Sequence, residues 1–122
     1  MSITSWLVIT AQPMNKIDIR CTYETAEDFR GMHDLVADTF LVELQVDEDG
    51  KVSSWTVDDR TACFYTDLAV YNENEITFEG SEIEGQTGSL HIDRMARRFT
   101  QRSDMNGEWL ILKGSCGTCG RF

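Results

Sequence analysis

Phe40-Leu41-Val42-Glu43-Leu44-Gln45-Val46-Asp47-Glu48-Asp49-Gly50-Lys51-Val52-Ser53-Ser54-Trp55-Thr56-Val57 decides how the rest of the chain is read. Phe40, Val42, Leu44 and Val46 alternate with Leu41, Glu43 and Gln45, the period of a half-buried strand. Asp47-Glu48-Asp49-Gly50 has turn chemistry, with Gly50 free to take a positive φ. Val52 to Val57 then returns as the partner strand, so residues 39–57 read as a β-hairpin. The same period extends in both directions. Upstream, Ile17, Ile19, Cys21 and Tyr23 alternate with Asp18, Arg20 and Thr22. Downstream, strands are expected over residues 62–71, 75–79, 89–93, 98–103 and 108–113. Asn72-Glu73-Asn74 makes one turn between them, and Asn106-Gly107 is the strongest hairpin signal in the chain.

One stretch departs from this period. Thr25-Ala26-Glu27-Asp28 resembles a helix N-cap with an acid three positions on. Phe29, Met32 and Val36 follow at i, i+3 and i+7. This spacing predicts one short amphipathic helix near residues 26–37, with Gly31 inside it at a cost of about 1 kcal/mol. The expected fold is therefore mainly β: an antiparallel meander closing into a small barrel or sandwich, with the helix plugging an end or covering a face. The 122 residues fit a single domain, residues 1–122.

Composition narrows the class further. Apolar residues are 41% of the chain and charged residues 26%, as in ordinary globular proteins. No apolar run approaches the ~18 residues of a membrane-spanning helix. The block Trp6 to Ile9 has no basic residue before it and is too short for a secretory core, so it reads as a strand. The expectation that follows is a cytoplasmic protein with reduced cysteines.

The chemistry-bearing residues are sparse. Cys116-Gly117-Thr118-Cys119 resembles a zinc knuckle, but one knuckle supplies two ligands and a structural zinc takes four. Cys21 alternates in phase with apolar neighbours and reads as a core thiol. Three readings of the cysteines stay open: core thiols with an unliganded tail, a Cys116–Cys119 pair, or a zinc site built on Cys116 and Cys119. Asp47 to Gly50 fails as a calcium loop, because Gln45 and Thr56 would fall at the first and last ligand positions. His33 and His91 stand alone, and no Gly-x-Ser-x-Gly elbow is present. No catalytic set and no cofactor is expected.

Charge is the stronger hint. The chain carries −10 formally. Residues 1–90 hold eighteen acids against five bases, and residues 91–122 hold three against six, among them Arg94, Arg97, Arg98 and Arg102. Those arginines either project together or pair with the acidic body. The acidic excess repels phosphates, which argues against direct nucleic-acid binding and against an anionic membrane. It favours a basic protein partner. The densest acidic positions are Asp47, Glu48, Asp49, Asp58, Asp59, Glu79, Glu82 and Glu84, and these are the candidate binding residues. The expected role is a small interaction protein, in its sharper form an inhibitor whose carboxylates imitate a phosphate track. The alternative is a small barrel holding an apolar ligand, lined by Trp6, Trp55, Phe64 and Trp109.

Three segments in the last third of the chain carry a resemblance: Ser89-Leu90-His91-Ile92-Asp93-Arg94, Arg98-Phe99-Thr100 and Gly114-Ser115-Cys116-Gly117-Thr118. They resemble small bacterial β-rich proteins of unknown function, in which an Ile-Asp-Arg turn precedes an Arg-Phe/Tyr-Thr strand and the chain ends on Gly-x-Cys. The resemblance implies a β fold and places Cys21 opposite a cysteine near the start of those domains. Where those proteins have a glycine turn, this chain has Ala96-Arg97. The relatives are often exported, and a bridge between Cys21 and Cys116 would place the protein outside the cytosol.

Overall fold

Alternation of large apolar and polar residues produces strands throughout the described residues. The computed structural model describes residues 15–34, 38–58, 65–80 and 85–118. Among them run nine strands: β1 (Asn15–Asp28), β2 (Gly31–Asp34), β3 (Thr39–Val46), β4 (Val52–Asp58), β5 (Asp67–Tyr71), β6 (Glu75–Gly80), β7 (Gln86–Asp93), β8 (Arg98–Met105) and β9 (Glu108–Thr118). They form one antiparallel sheet in the order β4-β3-β1-β9-β8-β7-β6-β5, with β2 paired on β1. The path is a meander whose first and last long strands lie side by side, and the sheet curls into a nearly closed barrel. Trp55 of β4 packs on Phe78 of β6 with ring centres 4.8 Å apart, which carries contact across the gap between the two edge strands.

The inward set is the one the period predicts. Ile17, Ile19, Cys21 and Tyr23 of β1 join Phe40, Val42, Leu44 and Val46 of β3 in the core. Ile76, Phe78, Leu90, Ile92, Phe99 and Leu112 complete it from the other half of the sheet. Tyr23, Phe40 and Phe99 form a three-ring cluster with centres 5.0–5.4 Å apart, in tilted and edge-on geometry that aromatic quadrupoles favour. The Tyr23 hydroxyl donates to Oε1 of Gln101 at 2.9 Å, giving that buried amide a partner inside the barrel.

The turns follow their residues. Asn106 and Gly107 both take positive φ (53° and 89°), as a two-residue hairpin of this type requires. Arg97 also takes a positive φ, 57°, in the turn between β7 and β8. Asp47, Asn72 and Asp93 each turn the chain by accepting backbone N–H groups two and three or four residues on.

Two expectations are corrected. The helix near residues 26–37 is absent from the part described. Residues 25–28 extend β1, Phe29 and Arg30 turn, and Gly31–Asp34 return as β2. Gly31 sits at φ 134°, outside the helical region, and β9 holds residues 25–28 extended by pairing with their other edge. Residues 35–37 lie outside the described residues. The cysteine tail is the second correction. Gly114 to Thr118 belong to β9, held between β1 and β8, and Cys116 is bonded to Cys21. The two face each other directly in the β1–β9 register, with the Cys116 N–H turned away to the carbonyl of Arg97. That leaves both side chains on the inner face with their Cα atoms 4.1 Å apart. A bonded sulfur offers no thiolate, so Cys116 is not the metal ligand its spacing to Cys119 suggested. Cys119 and Cys63 lie outside the described residues.

Candidate functional site

The expected acidic surface divides into separate places. Asp59, Glu82 and Glu84 lie outside the described residues. Asp47, Glu48 and Asp49 occupy the β3–β4 turn, and Asp58 ends β4 at the other end of that hairpin. The carboxylate of Asp47 is committed to its own turn, accepting from the N–H groups of Asp49 and Lys51 at 2.9 Å. Asp58 borders a shallow groove of about 240 Å³ with Arg20 and Asp38. Glu79 stands apart from these, on the outer face of β6.

Glu79 lies in a groove of about 500 Å³ crossing the outer face of β5 to β8. The register builds this groove in one row. Asp67 of β5 is opposite Glu79, Glu79 is opposite Ser89 of β7, and Ser89 is opposite Arg102 of β8. Thr66 and Thr87 add hydroxyls at its edge. Two carboxylates directly opposite each other in adjacent strands repel, at a cost on the order of 0.2–1 kcal/mol. Thr66 Oγ1 donates to Asp67 at 3.3 Å, and no described cation comes within ion-pair distance of Asp67 or Glu79.

Arg102 shares the groove but is engaged elsewhere. Its Nε and Nη2 donate to the two carboxylate oxygens of Asp104 at 2.8 and 3.2 Å, and its guanidinium lies 5.9 Å from the ring centre of Trp109. That hydrogen-bonded pair holds the Asp104 carboxyl below its ordinary value and raises the arginine. Several other basic residues are engaged in the same way. Arg98 bonds Glu24 at 2.9 Å, Arg30 bonds Asp28 at 3.0 Å, and Lys16 sits 3.1 Å from Glu43 and 3.8 Å from Asp18. Arg94 donates to the carbonyl of Asn72 at 2.6 Å and lies over the ring of Tyr71. Arg98 and Arg102 therefore pair with the chain's own acids, the second of the two arrangements the sequence left open, while Arg94 bonds a turn carbonyl instead.

Sequence reading found Glu79 but missed Asp67. Counting back from the Tyr71–Ile76 pair puts Leu68 opposite Glu79. A bulge between Leu68 and Val70 shifts the register by one and brings Asp67 there instead. Trp109, expected inside the barrel, stands on the outer side beside Arg102, because Leu112 fixes the opposite parity as inward. Trp55 does pack on the core, while Trp6 and Phe64 lie outside the described residues. No group of three or more His, Cys, Asp or Glu among the described residues is arranged to hold a metal ion. What the groove offers chemically is a pair of like charges with hydroxyls around it, a setting that attracts ammonium and guanidinium groups. No protein-family model, no curated protein and no solved structure matches the chain.

Proposed function

We propose that the protein is a binder, not a catalyst, and that its carboxylates engage a basic protein partner. One observation carries this reading. Lys16, Arg98 and Arg102 are tied to the chain's own carboxylates, while Asp67 and Glu79 face each other in the groove across β5 to β8 with no described cation within ion-pair distance. A basic partner removes their mutual repulsion and gains long-range attraction from the −10 charge. In the sharper form of the proposal, the protein is an inhibitor whose carboxylates stand where nucleic-acid phosphates stand on that partner. The same charge disfavours direct binding to nucleic acid. The apolar-ligand alternative draws less support, since Ile19, Val42, Leu44, Ile76, Phe78, Leu90 and Ile92 already fill much of the interior at 0% exposure.

The Cys21–Cys116 bridge supports an oxidising compartment over the cytoplasm, because cytosolic thiols are kept reduced. No helix among the described residues is long and apolar enough to cross a membrane. The test of the binding proposal uses a labelled oligolysine peptide as probe. Its affinity for the protein is expected to fall steeply between low and physiological salt, where charges are screened over roughly 8 Å. Asp67→Asn with Glu79→Gln is expected to weaken it further at low salt. A flat salt response with unchanged affinity in the double variant would mean the acidic surface serves solubility alone.

A further inference from the structure

The seam between β4 and β5 leaves the barrel one pairing short. Seven antiparallel pairings lead through the sheet from one to the other, so the two edge strands run in opposite directions. Among the described residues no backbone hydrogen bond joins them. The core is thinnest at the same place. Six apolar residues pack on it while staying only partly buried, and all six flank the seam: Val52, Trp55 and Val57 on β4, Leu68 and Tyr71 on β5, and Tyr65 just before β5. Inward residues of the inner strands, such as Ile19, Val42 and Leu90, are 0% exposed.

The two edges differ. β5 has five residues and a bulge between Leu68 and Val70, features that blunt an edge. β4 has seven residues, an unbroken register with β3 from Ser54 to Asp58, and no charge or proline from Val52 to Val57. An edge of that kind is a template for a further strand.

Charge says which strand fits. Trp55 touches Phe78, and Phe78 is opposite Leu68, so Trp55 and Leu68 meet the seam at one level. One residue on toward the same end, Thr56 and Asp67 turn to the outer face. Asp58 shares that face, since its register partner Leu41 alternates with buried Phe40 and Val42. A carboxylate therefore stands on each bank of the seam, and neither has a described cation within ion-pair distance. A strand laid between the banks turns alternate side chains inward to the partly buried apolar residues and the others outward to these acids.

We propose that the free edge of β4 is the docking site for an extended segment of the basic partner, added antiparallel to β4 and alternating apolar with basic side chains. Its apolar set completes the core at Trp55, Val57 and Leu68, and its basic set meets Asp58 and Asp67. The proposal rests on the basic-partner reading and adds the backbone pairing to it.

The test compares four peptides of equal length on the intact, oxidised protein: valine and lysine in strict alternation, the same peptide with its backbone nitrogens methylated, the same composition scrambled, and lysine alone. The alternating peptide is expected to bind about tenfold or more tighter than the scrambled one. It is also expected to slow hydrogen exchange at the β4 amides turned away from β3, read by NMR. Methylation should abolish both effects, because it removes the hydrogen-bond donors and keeps the charge. Asp58→Asn with Asp67→Asn should weaken the alternating peptide about threefold at low salt. Both sites are exposed, and a melting curve separates lost docking from lost fold. Equal affinity for the alternating, methylated and scrambled peptides would overturn the proposal and leave the basic-partner reading standing. Failure of the lysine peptide to bind at any salt would remove that reading and the proposal with it. Protection of the same amides without any peptide also overturns the proposal. Protection that rises with protein concentration would make a second copy the occupant, and protection lost on deleting residues 2–12 would make it this chain's own N-terminal segment.

Discussion

Gly114 is the residue on which the closure of the sheet turns. A Cβ there would collide with the carbonyl oxygen of Thr22 and stand 2.6 Å from the ring of Phe99. The obstacle is backbone on one side and a packed aromatic on the other, so neither can yield cheaply. Gly114→Ala is expected to cost about 1–3 kcal/mol in urea unfolding, and an unchanged midpoint would show that β1 can bend away at its bulge. Three carboxyls act at the same scale. Glu24 is held below its ordinary value first by the hydrogen bond from Arg98, Asp28 first by the backbone N–H of Arg30, and Asp104 first by Arg102. A carboxyl whose folded pKa lies below its unfolded one adds stability above the unfolded value of about 4 and loses it as pH falls through the folded value. Carbon-detected NMR titration should therefore place all three midpoints below the ordinary range. Each contribution should persist at neutral pH and disappear in acid.

At the scale of the element, the β3–β4 hairpin separates two kinds of acid that look alike in sequence. Asp47 builds the turn through two accepted N–H bonds, while Asp49 projects into solvent. Asp47→Ala is expected to destabilise the domain by about 1 kcal/mol, and Asp49→Ala to stay within about 0.5 kcal/mol. Equal effects in thermal melts would mean the turn holds without its side chain. The β1–β2 hairpin teaches a related lesson. The spacing of Phe29, Met32 and Val36 fits a helix, yet the free edge of β9 captures residues 25–28 as strand. Phe29 and Met32 then become exposed instead of forming one buried face.

Across the whole molecule, β1 and β9 join the two halves of the meander, and the Cys21–Cys116 bridge fastens that junction across 95 residues of sequence. Closing so long a loop removes much of the unfolded chain's freedom. Reduction, or Cys21→Ser with Cys116→Ser, is expected to lower unfolding stability by about 2–5 kcal/mol. Denaturant titration with and without reductant measures it directly. If the two curves coincide, the sheet alone holds the junction.

Period-two patterning determined the β class, most strand positions, the inward set and the Asn106-Gly107 turn, because alternation and turn chemistry are local properties of the chain. The excess of acids was equally legible, since it is a matter of composition. Tertiary structure decided the rest. The bulge beside Ala69 chose Asp67 as the partner of Glu79, and the return of β9 to β1 placed Cys116 against Cys21. Pairing with Glu24 and Asp104 took Arg98 and Arg102 out of the free charge. Each of these depends on register between strands far apart in sequence, and register is set by which residues reach a common core, not by what stands next to them in the chain.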